Sequence, residues 1–192
     1  MLKIVQAPEE VLSTKAKIVK EIDKQIKLLL KDMEESLAAA KDPEGVGLAA
    51  PQVGKSLQIF LIKQSPKSPL LTFINPKIEG FFEHEHENEQ TESAKKHKKS
   101  RREKGVQLEG CLSLKDVWGV VTRNHGVELS YMDEHGKHHR EKFHGFLATI
   151  IQHEFDHLQG ILFPKRVLEQ KNKLYHSSKN AQGETEFEEI SL

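Results

Sequence analysis

The chain has 192 residues, a length that suits one domain with appendages. Its 29 Lys and Arg residues balance its 29 Asp and Glu residues, so the formal net charge is zero, which argues against a dedicated nucleic-acid-binding protein and against a polybasic membrane protein. Cys111 is the single cysteine, which excludes a secreted domain held together by intrachain disulfides.

One helix and two strands are predicted in the first half of the chain. Apolar residues recur at steps of three and four over 21–40, which predicts an amphipathic helix. The helix should end at Asp42-Pro43, because the residue before a proline is kept out of the helical region. The glycine-rich stretch 45–54 follows, and runs of branched residues at 57–62 and 71–74 then predict short strands.

Segment 83–105 differs in composition from the rest of the chain. Its first part is acidic, its second part is basic, and Ala94 is its only apolar residue. Such a segment cannot offset its ordering entropy by burial, so it is predicted to be a disordered insertion. It is interpreted either as a solvated charged loop or as an arm that docks on RNA or on an acidic partner.

The second half of the chain predicts strands followed by a helix. Strands are predicted at 118–121 and 126–132, with a hairpin partner at 138–143. A helix is predicted over 146–159, with Gly160 as its C-cap, and the tail from Val167 is weakly helical in pattern. This order of elements predicts an α+β fold with a largely antiparallel sheet.

The strongest chemical signal is an HExxH pattern, His153-Glu154-x-x-His157, on the predicted second helix. A spacing of four residues puts both imidazoles on one helix face, where both can reach one metal ion. Glu154 stands next to that face and can move protons. The alternative is a chance spacing of two histidines in a chain that has 11 of them.

A catalytic metal site of this kind requires a third protein ligand. A metzincin-like site would need a histidine at position 163, which is Phe163, so that class is excluded. A gluzincin-like site would use a downstream glutamate such as Glu169. The remaining candidate is Cys111, which lies 42 residues before His153 in the run Glu109-Gly110-Cys111-Leu112-Ser113.

The stretch Gly45-Val46-Gly47-Leu48-Ala49-Ala50-Pro51-Gln52 is a weak signal by itself. Two glycines spaced by one residue allow a backbone to approach a ligand closely. The stretch lacks the third glycine and the preceding strand of a dinucleotide-binding motif, and it has no P-loop lysine.

Together, the three segments 45–52, 109–113 and 153–157 resemble the peptide deformylase family, whose motifs are GφGφAAxQ, EGCφS and HEφDH in this order. The resemblance implies antiparallel β-sheets packed around a central HExxH-bearing helix, with an N-terminal helix. It implies a catalytic domain over residues 1–166, interrupted by the insertion 83–105. Residues 167–192 are then expected to be a C-terminal tail, partly helical or disordered.

The implied function is metal-dependent removal of the N-formyl group from the N-terminal methionine of newly synthesised proteins, with release of formate. Cys111, His153 and His157 would bind one divalent ion, with Fe(II) expected from the family and Zn, Ni or Co also compatible with these ligands. Glu154 would transfer the protons.

The resemblance also implies how the substrate is held. The Gln52 amide and the Leu112 backbone N–H would stabilise the oxyanion, and the backbone from Gly45 to Gly47 would pair with the peptide as an added strand. Two positions, Lys115 and Trp118, depart from residues that many members of the family have there. The expected lining of the methionine pocket is Val46, Glu109, Phe146, Thr149, Ile150 and His153.

The expected partners are N-formylmethionyl nascent peptides and, transiently, the ribosome, with no DNA and no membrane. The N-terminus lacks the apolar stretch of a signal peptide, and no apolar run approaches the roughly 20 residues of a bilayer span. A cytoplasmic location is therefore expected, and a monomer is favoured. Two alternatives are an HExxH endopeptidase that does not need Cys111, and a deformylase-like protein that only binds peptides.

Overall fold

The structure is a computed structural model that describes residues 1–41, 45–82 and 108–191. The predicted insertion 83–105 and the predicted helix end at Asp42-Pro43 lie outside the described residues. No helix in the described part of the chain is both long enough and apolar enough to cross a membrane.

The N-terminal helix, α1, spans Lys24–Ala39. It begins three residues later than the apolar pattern predicts, because the Asp23 side chain caps it by accepting a hydrogen bond from the Ile26 N–H at 2.9 Å. The helix buries Leu30, Met33 and Leu37, which pack against the first strands of the larger sheet. The predicted helix is thus confirmed over most of its length.

The larger sheet has five antiparallel strands in the order β1-β2-β3-β6-β7. The strand predicted at 71–74 is wrong in length, since β3 continues to Phe82 by pairing with β6 across two register shifts. Strand β1 forms one edge of this sheet. The five strands are β1 (Gly47–Ala49), β2 (Ile59–Ile62), β3 (Leu71–Phe82), β6 (Gly126–Met132) and β7 (His138–His144).

The smaller sheet has four antiparallel strands in the order β4-β5-β8-β9, and β4 forms one of its edges. Strand β5 begins four residues before the strand predicted at 118–121, because it turns back directly from β4. The four strands are β4 (Leu108–Cys111), β5 (Leu114–Val120), β8 (Leu174–Lys179) and β9 (Thr185–Glu189).

The prediction of a helical or disordered tail is wrong beyond Glu169. Helix α3 spans Phe163–Glu169, but the chain then forms the hairpin β8–β9. Strand β8 forms because β5 offers an edge with unpaired backbone groups. The apolar alternation that would have predicted these strands is weak, since Leu174 alone is buried in β8 and every residue of β9 is exposed.

Helix α2, Gly145–Leu158, lies at the centre of the molecule. It packs on β1, β2, β6 and β7 through buried apolar residues that include Ile150, Ile151 and Leu158. The chain leaves the helix at Gly160, whose φ is +69° and whose position has no room for a Cβ, which would lie 2.6 Å from the Ser13 backbone. The predicted α+β fold around an HExxH-bearing helix is confirmed.

An aromatic cluster forms the centre of the larger core. The Phe73 ring is fully buried and lies 4.7 Å from the Phe60 ring, 4.6 Å from Tyr131 and 5.7 Å from Phe143, measured between centroids. These rings join four strands, β2, β3, β6 and β7, of the sheet that supports α2.

We expect Phe73→Ala to lower the free energy of unfolding by about 3–5 kcal/mol, because it removes a fully buried ring and leaves a cavity. Phe81→Ala is the matched control on the same strand, with a side chain that is 51% exposed, and should change stability by less than about 0.5 kcal/mol. Urea unfolding at equal metal loading measures both. Equal losses in the two variants would contradict the assignment of the core.

Candidate metal centre

The two histidines of the HExxH pattern face the same side of α2, one turn apart. His153 Nδ1 lies 3.0 Å from Glu109 Oε2, and since a carboxylate only accepts, Nδ1 carries the proton and Nε2 remains for a ligand. His157 is buried, and its Nε2 lies 3.2 Å from Cys111 Sγ. Both imidazoles therefore direct Nε2 toward the same point.

Cys111 completes the group from the opposite side. It ends strand β4, and its Sγ and the ligand atoms of His153 and His157 all lie within 4.8 Å of one another. Ligands on a tetrahedral ion stand roughly 3.5 Å apart, so these atoms suit one shared ion. Glu169, the gluzincin-like candidate, does not take part, because its carboxylate is half exposed and pairs with Arg166 at 3.1 Å.

The chemistry of the site fits a divalent metal ion. Burial lowers the pKa of His157 well below its usual value, so this imidazole is neutral as a metal ligand must be. Within the described residues, Glu154 Oε2 is a buried atom without a hydrogen-bond partner. An ion and its water would satisfy such a group.

Glu154 is the buried acid of the site. Its side chain is 3% exposed, and burial raises its pKa to about 7. The carboxylate packs directly on the backbone of Gly47, where a Cβ would overlap Oε1. The first glycine motif and the HExxH helix therefore depend on each other, because only glycine leaves room for this acid.

The Gln52 amide is held in one orientation. Its Oε1 accepts a hydrogen bond from the Ala49 N–H at 2.8 Å, which turns Nε2 toward Ser113 Oγ at 3.3 Å and Cys111 Sγ at 3.5 Å. The adjacent Leu112 carbonyl accepts from Gln6 Nε2 at 2.9 Å. These contacts fix two hydrogen-bonding groups beside the metal ligands.

A chain of buried charges supports the ligands from behind. Arg123 donates to both oxygens of Glu109, at 2.8 and 2.9 Å, and to Asp156 Oδ2 at 2.6 Å. Asp156 also accepts two hydrogen bonds from Arg166, at 3.1 and 2.7 Å. Burial opposes the ionisation of Glu109, but the bonds from Arg123 and His153 outweigh it and lower the Glu109 pKa to about 2.

The sequence analysis did not identify Arg123 and Arg166, the two arginines of these buried ion pairs. Neither stands in a motif, and an isolated arginine carries no periodic signal. The available clue was Asp156, a carboxylate on an apolar helix, since a buried charge requires a partner. The structure buries Asp156 between Arg123 and Arg166.

A cavity of about 400 Å³ opens beside the ligands, between strands β1 and β4. The Thr149 hydroxyl donates to the Gly145 carbonyl of the same helix at 3.4 Å. The polar group of this threonine therefore has a partner within the helix and does not have to face the pocket. His157 lies outside the cavity lining. The lining includes every other residue that the sequence predicts for the site: Gly45, Val46, Gly47, Gln52, Glu109, Cys111, Leu112, Phe146, Thr149, Ile150, His153 and Glu154.

A cysteine, two imidazoles and a buried glutamate beside a cleft are typical of a metal-dependent hydrolase. The family model described as polypeptide deformylase matches residues 1–173. The chain therefore belongs to the peptide deformylase family, the hydrolases that remove the N-formyl group from nascent peptides. The resemblance that the three motifs indicate is thus confirmed, and the endopeptidase and the purely binding alternatives are not.

Individual relatives agree with this assignment. The chain is 37% identical to a peptide deformylase of Picosynechococcus over 166 residues, covering 83% of this chain and 75% of that protein. It is 36% identical to peptide deformylase 1 of Bacillus cereus, covering 87% and 92%. The crystal structure of a peptide deformylase from Synechococcus elongatus in complex with actinonin has a TM-score of 0.69 at 37% identity, covering 86% of this chain and 78% of that one.

We expect one equivalent of divalent metal per chain, and a loss of at least tenfold in metal affinity in Cys111→Ala, because one of three ligand atoms is removed. His138→Ala is the control, since this histidine is exposed on β7 and should leave metal content unchanged. Elemental analysis after dialysis measures both. Full metal retention in Cys111→Ala would contradict the ligand set.

Proposed function

We propose that residues 1–166 form the catalytic domain and that Cys111, His153 and His157 hold one divalent ion, with Fe(II) preferred. The preference for Fe(II) rests on the family resemblance, and Zn, Ni and Co suit the same donors. When bound, such an ion supplies Lewis acidity that polarises a carbonyl and lowers the pKa of a water molecule toward neutrality. The observation that carries the proposal is the convergence of the three ligand atoms within 4.8 Å.

Glu154 is proposed as the proton-transfer group. It accepts a proton from the attacking water and delivers it to the amine nitrogen as the bond to the formyl carbon breaks. Burial supports this role because a pKa of about 7 lets one carboxylate both take and give a proton near neutral pH. Its Oε2, which has no hydrogen-bond partner among the described residues, is the atom available for the exchange.

Gln52 and Leu112 are proposed to stabilise the oxyanion that forms when water adds to the formyl carbon. The Gln52 amide supports this because Oε1 is anchored by Ala49, which leaves Nε2 facing the ligands. The backbone N–H of Leu112 would be the second donor, on a residue whose own carbonyl accepts a hydrogen bond from Gln6. Removing one such donor costs on the order of a hundredfold to a thousandfold in rate.

The substrate peptide is proposed to lie as an added strand between β1 and β4. Both are edge strands, one of each sheet, so both can offer backbone groups to an extended chain. On this arrangement the backbone of Gly45–Gly47 pairs with the peptide. The methionine side chain enters the pocket lined by Val46, Phe146, Thr149 and Ile150.

The proposed setting is the cytoplasm, where formylated nascent peptides are made and a lone cysteine stays reduced. A monomer suffices, because all the proposed site residues come from one chain. The basic run 95–104 supports transient contact with the ribosome, whose RNA attracts such charge.

We expect Glu154→Gln to release formate from formyl-Met-Ala-Ser about 100- to 10,000-fold more slowly than the wild type, because it removes the proton acceptor while nearly keeping the shape. Glu169→Gln, a half-exposed glutamate on α3, serves as the matched control and should retain wild-type activity. Both are assayed anaerobically at equal metal content. Wild-type turnover by Glu154→Gln would overturn the mechanism.

We expect deletion of residues 83–105 to weaken binding to ribosomes at low salt. Attraction between the basic run and RNA should also weaken as salt rises. Co-sedimentation of the full chain and the deletion variant, at two salt concentrations, measures this. Unchanged sedimentation of the deletion variant would sink the ribosome proposal without touching the catalytic one.

A further inference from the structure

Trp118 forms part of the wall of the catalytic cavity. It lies on β5 directly opposite Gly110, the residue between Glu109 and Cys111 on β4. A Cβ at Gly110 would lie 2.7 Å from the Trp118 ring, so the indole lies flat over this glycine. A large aromatic surface therefore stands within one residue of the Cys111 thiol.

The indole lies on the other face of the sheet from the metal ligands. Side chains alternate between faces along a strand, and Glu109 and Cys111 both contact the metal centre. The residue between them, Gly110, faces the opposite way, and Trp118 opposite it shares that face. An extended peptide alternates in the same manner, so a first side chain in the methionine pocket directs the second toward the indole.

The C-terminal hairpin holds the indole in place. Trp118 Nε1 donates to Ser177 Oγ on β8 at 3.0 Å, and the Phe187 ring on β9 meets the indole edge-on at 6.0 Å between centroids. Phe187 remains 45% exposed, which leaves aromatic surface beside the cleft. The whole hairpin lies beyond residue 173, where the family match ends.

Apolar residues also line the cavity. Leu108, Leu112 and Val121 are among them, and the charged lining residues Glu109 and Arg123 neutralise each other through two hydrogen bonds. Such a surface favours an apolar or aromatic side chain over a charged or small one.

We propose that Trp118, held by the hairpin β8–β9, forms a specificity subsite for a large apolar or aromatic side chain at the second residue of the formylated peptide. This inference rests on the proposed function, since it places the peptide in the cleft between β1 and β4. Trp118 is the specificity residue, and Ser177 and Phe187 are positioning residues.

Competition between substrates tests the subsite. Formyl-Met-Phe-Ala should have a kcat/KM about three- to tenfold above that of formyl-Met-Gly-Ala, mostly through KM. In Trp118→Ala this ratio should fall to about one, and in Trp118→Phe, which keeps a ring but loses the bond to Ser177, it should be intermediate. Phe81→Ala, which removes an exposed aromatic side chain from the other sheet, should leave the ratio unchanged.

Three results would overturn the subsite. The first is equal kcat/KM for formyl-Met-Phe-Ala and formyl-Met-Gly-Ala in the wild type, and the second is an unchanged ratio of these two values in Trp118→Ala. The third is a preference that appears only at the third residue, between formyl-Met-Ala-Phe and formyl-Met-Ala-Gly. Formate release from none of the peptides would instead count against the proposed function. The subsite then remains testable by binding of the product Met-Phe-Ala.

Fluorescence supplies that second readout because Trp118 is the single tryptophan of the chain. Met-Phe-Ala should change its emission at lower concentration than Met-Gly-Ala does. Phe187→Ala should raise the concentration of Met-Phe-Ala that is needed, and Phe81→Ala should not. Identical titrations with the two peptides would contradict the subsite whether or not the enzyme turns over.

Discussion

The buried pairing of Glu109 with Arg123 is the interaction on which the site depends. Arg123 binds both oxygens of Glu109 and also reaches Asp156 on the central helix. The edge of the smaller sheet is thereby joined to the helix that carries both histidines. Buried ion pairs add little net stability, but losing one partner leaves an uncompensated charge. Their value here is geometric, because Glu109 stands two residues before Cys111 and contacts His153, so one carboxylate orients ligands from both elements.

Two glycines then set the width of the cleft. Gly47 admits the Glu154 carboxylate against the edge strand β1, and Gly110 admits the Trp118 ring against the edge strand β4. Each edge strand keeps its backbone close to the cavity because a side chain from another element occupies the space of a Cβ. A larger residue at position 47 would displace the Glu154 carboxylate, and one at position 110 would displace the Trp118 ring. Packing, as well as backbone freedom, therefore explains why these two positions are glycines.

Features with a short-range or periodic signal were predictable from the sequence. The spacing of His153 and His157 predicts the helix that carries them. Cys111 was one candidate for the third ligand, and the resemblance of its motif singled it out. The partners of Asp156 were not predictable, because Arg123 and Arg166 come from separate elements and meet it only in the folded chain. The hairpin β8–β9 was missed for a different reason: its strands are mostly exposed and polar, so pairing with β5, rather than an apolar pattern, determines them.

The central claim is that one thiolate and two imidazoles hold a single metal ion. X-ray absorption of the zinc-loaded protein tests it most directly, because sulfur and nitrogen scatter at different distances. The account predicts one sulfur at about 2.3 Å and two imidazole nitrogens at about 2.0–2.1 Å, with the sulfur absent in Cys111→Ser. A first shell without sulfur in the wild-type protein, or one unchanged in Cys111→Ser, would contradict it.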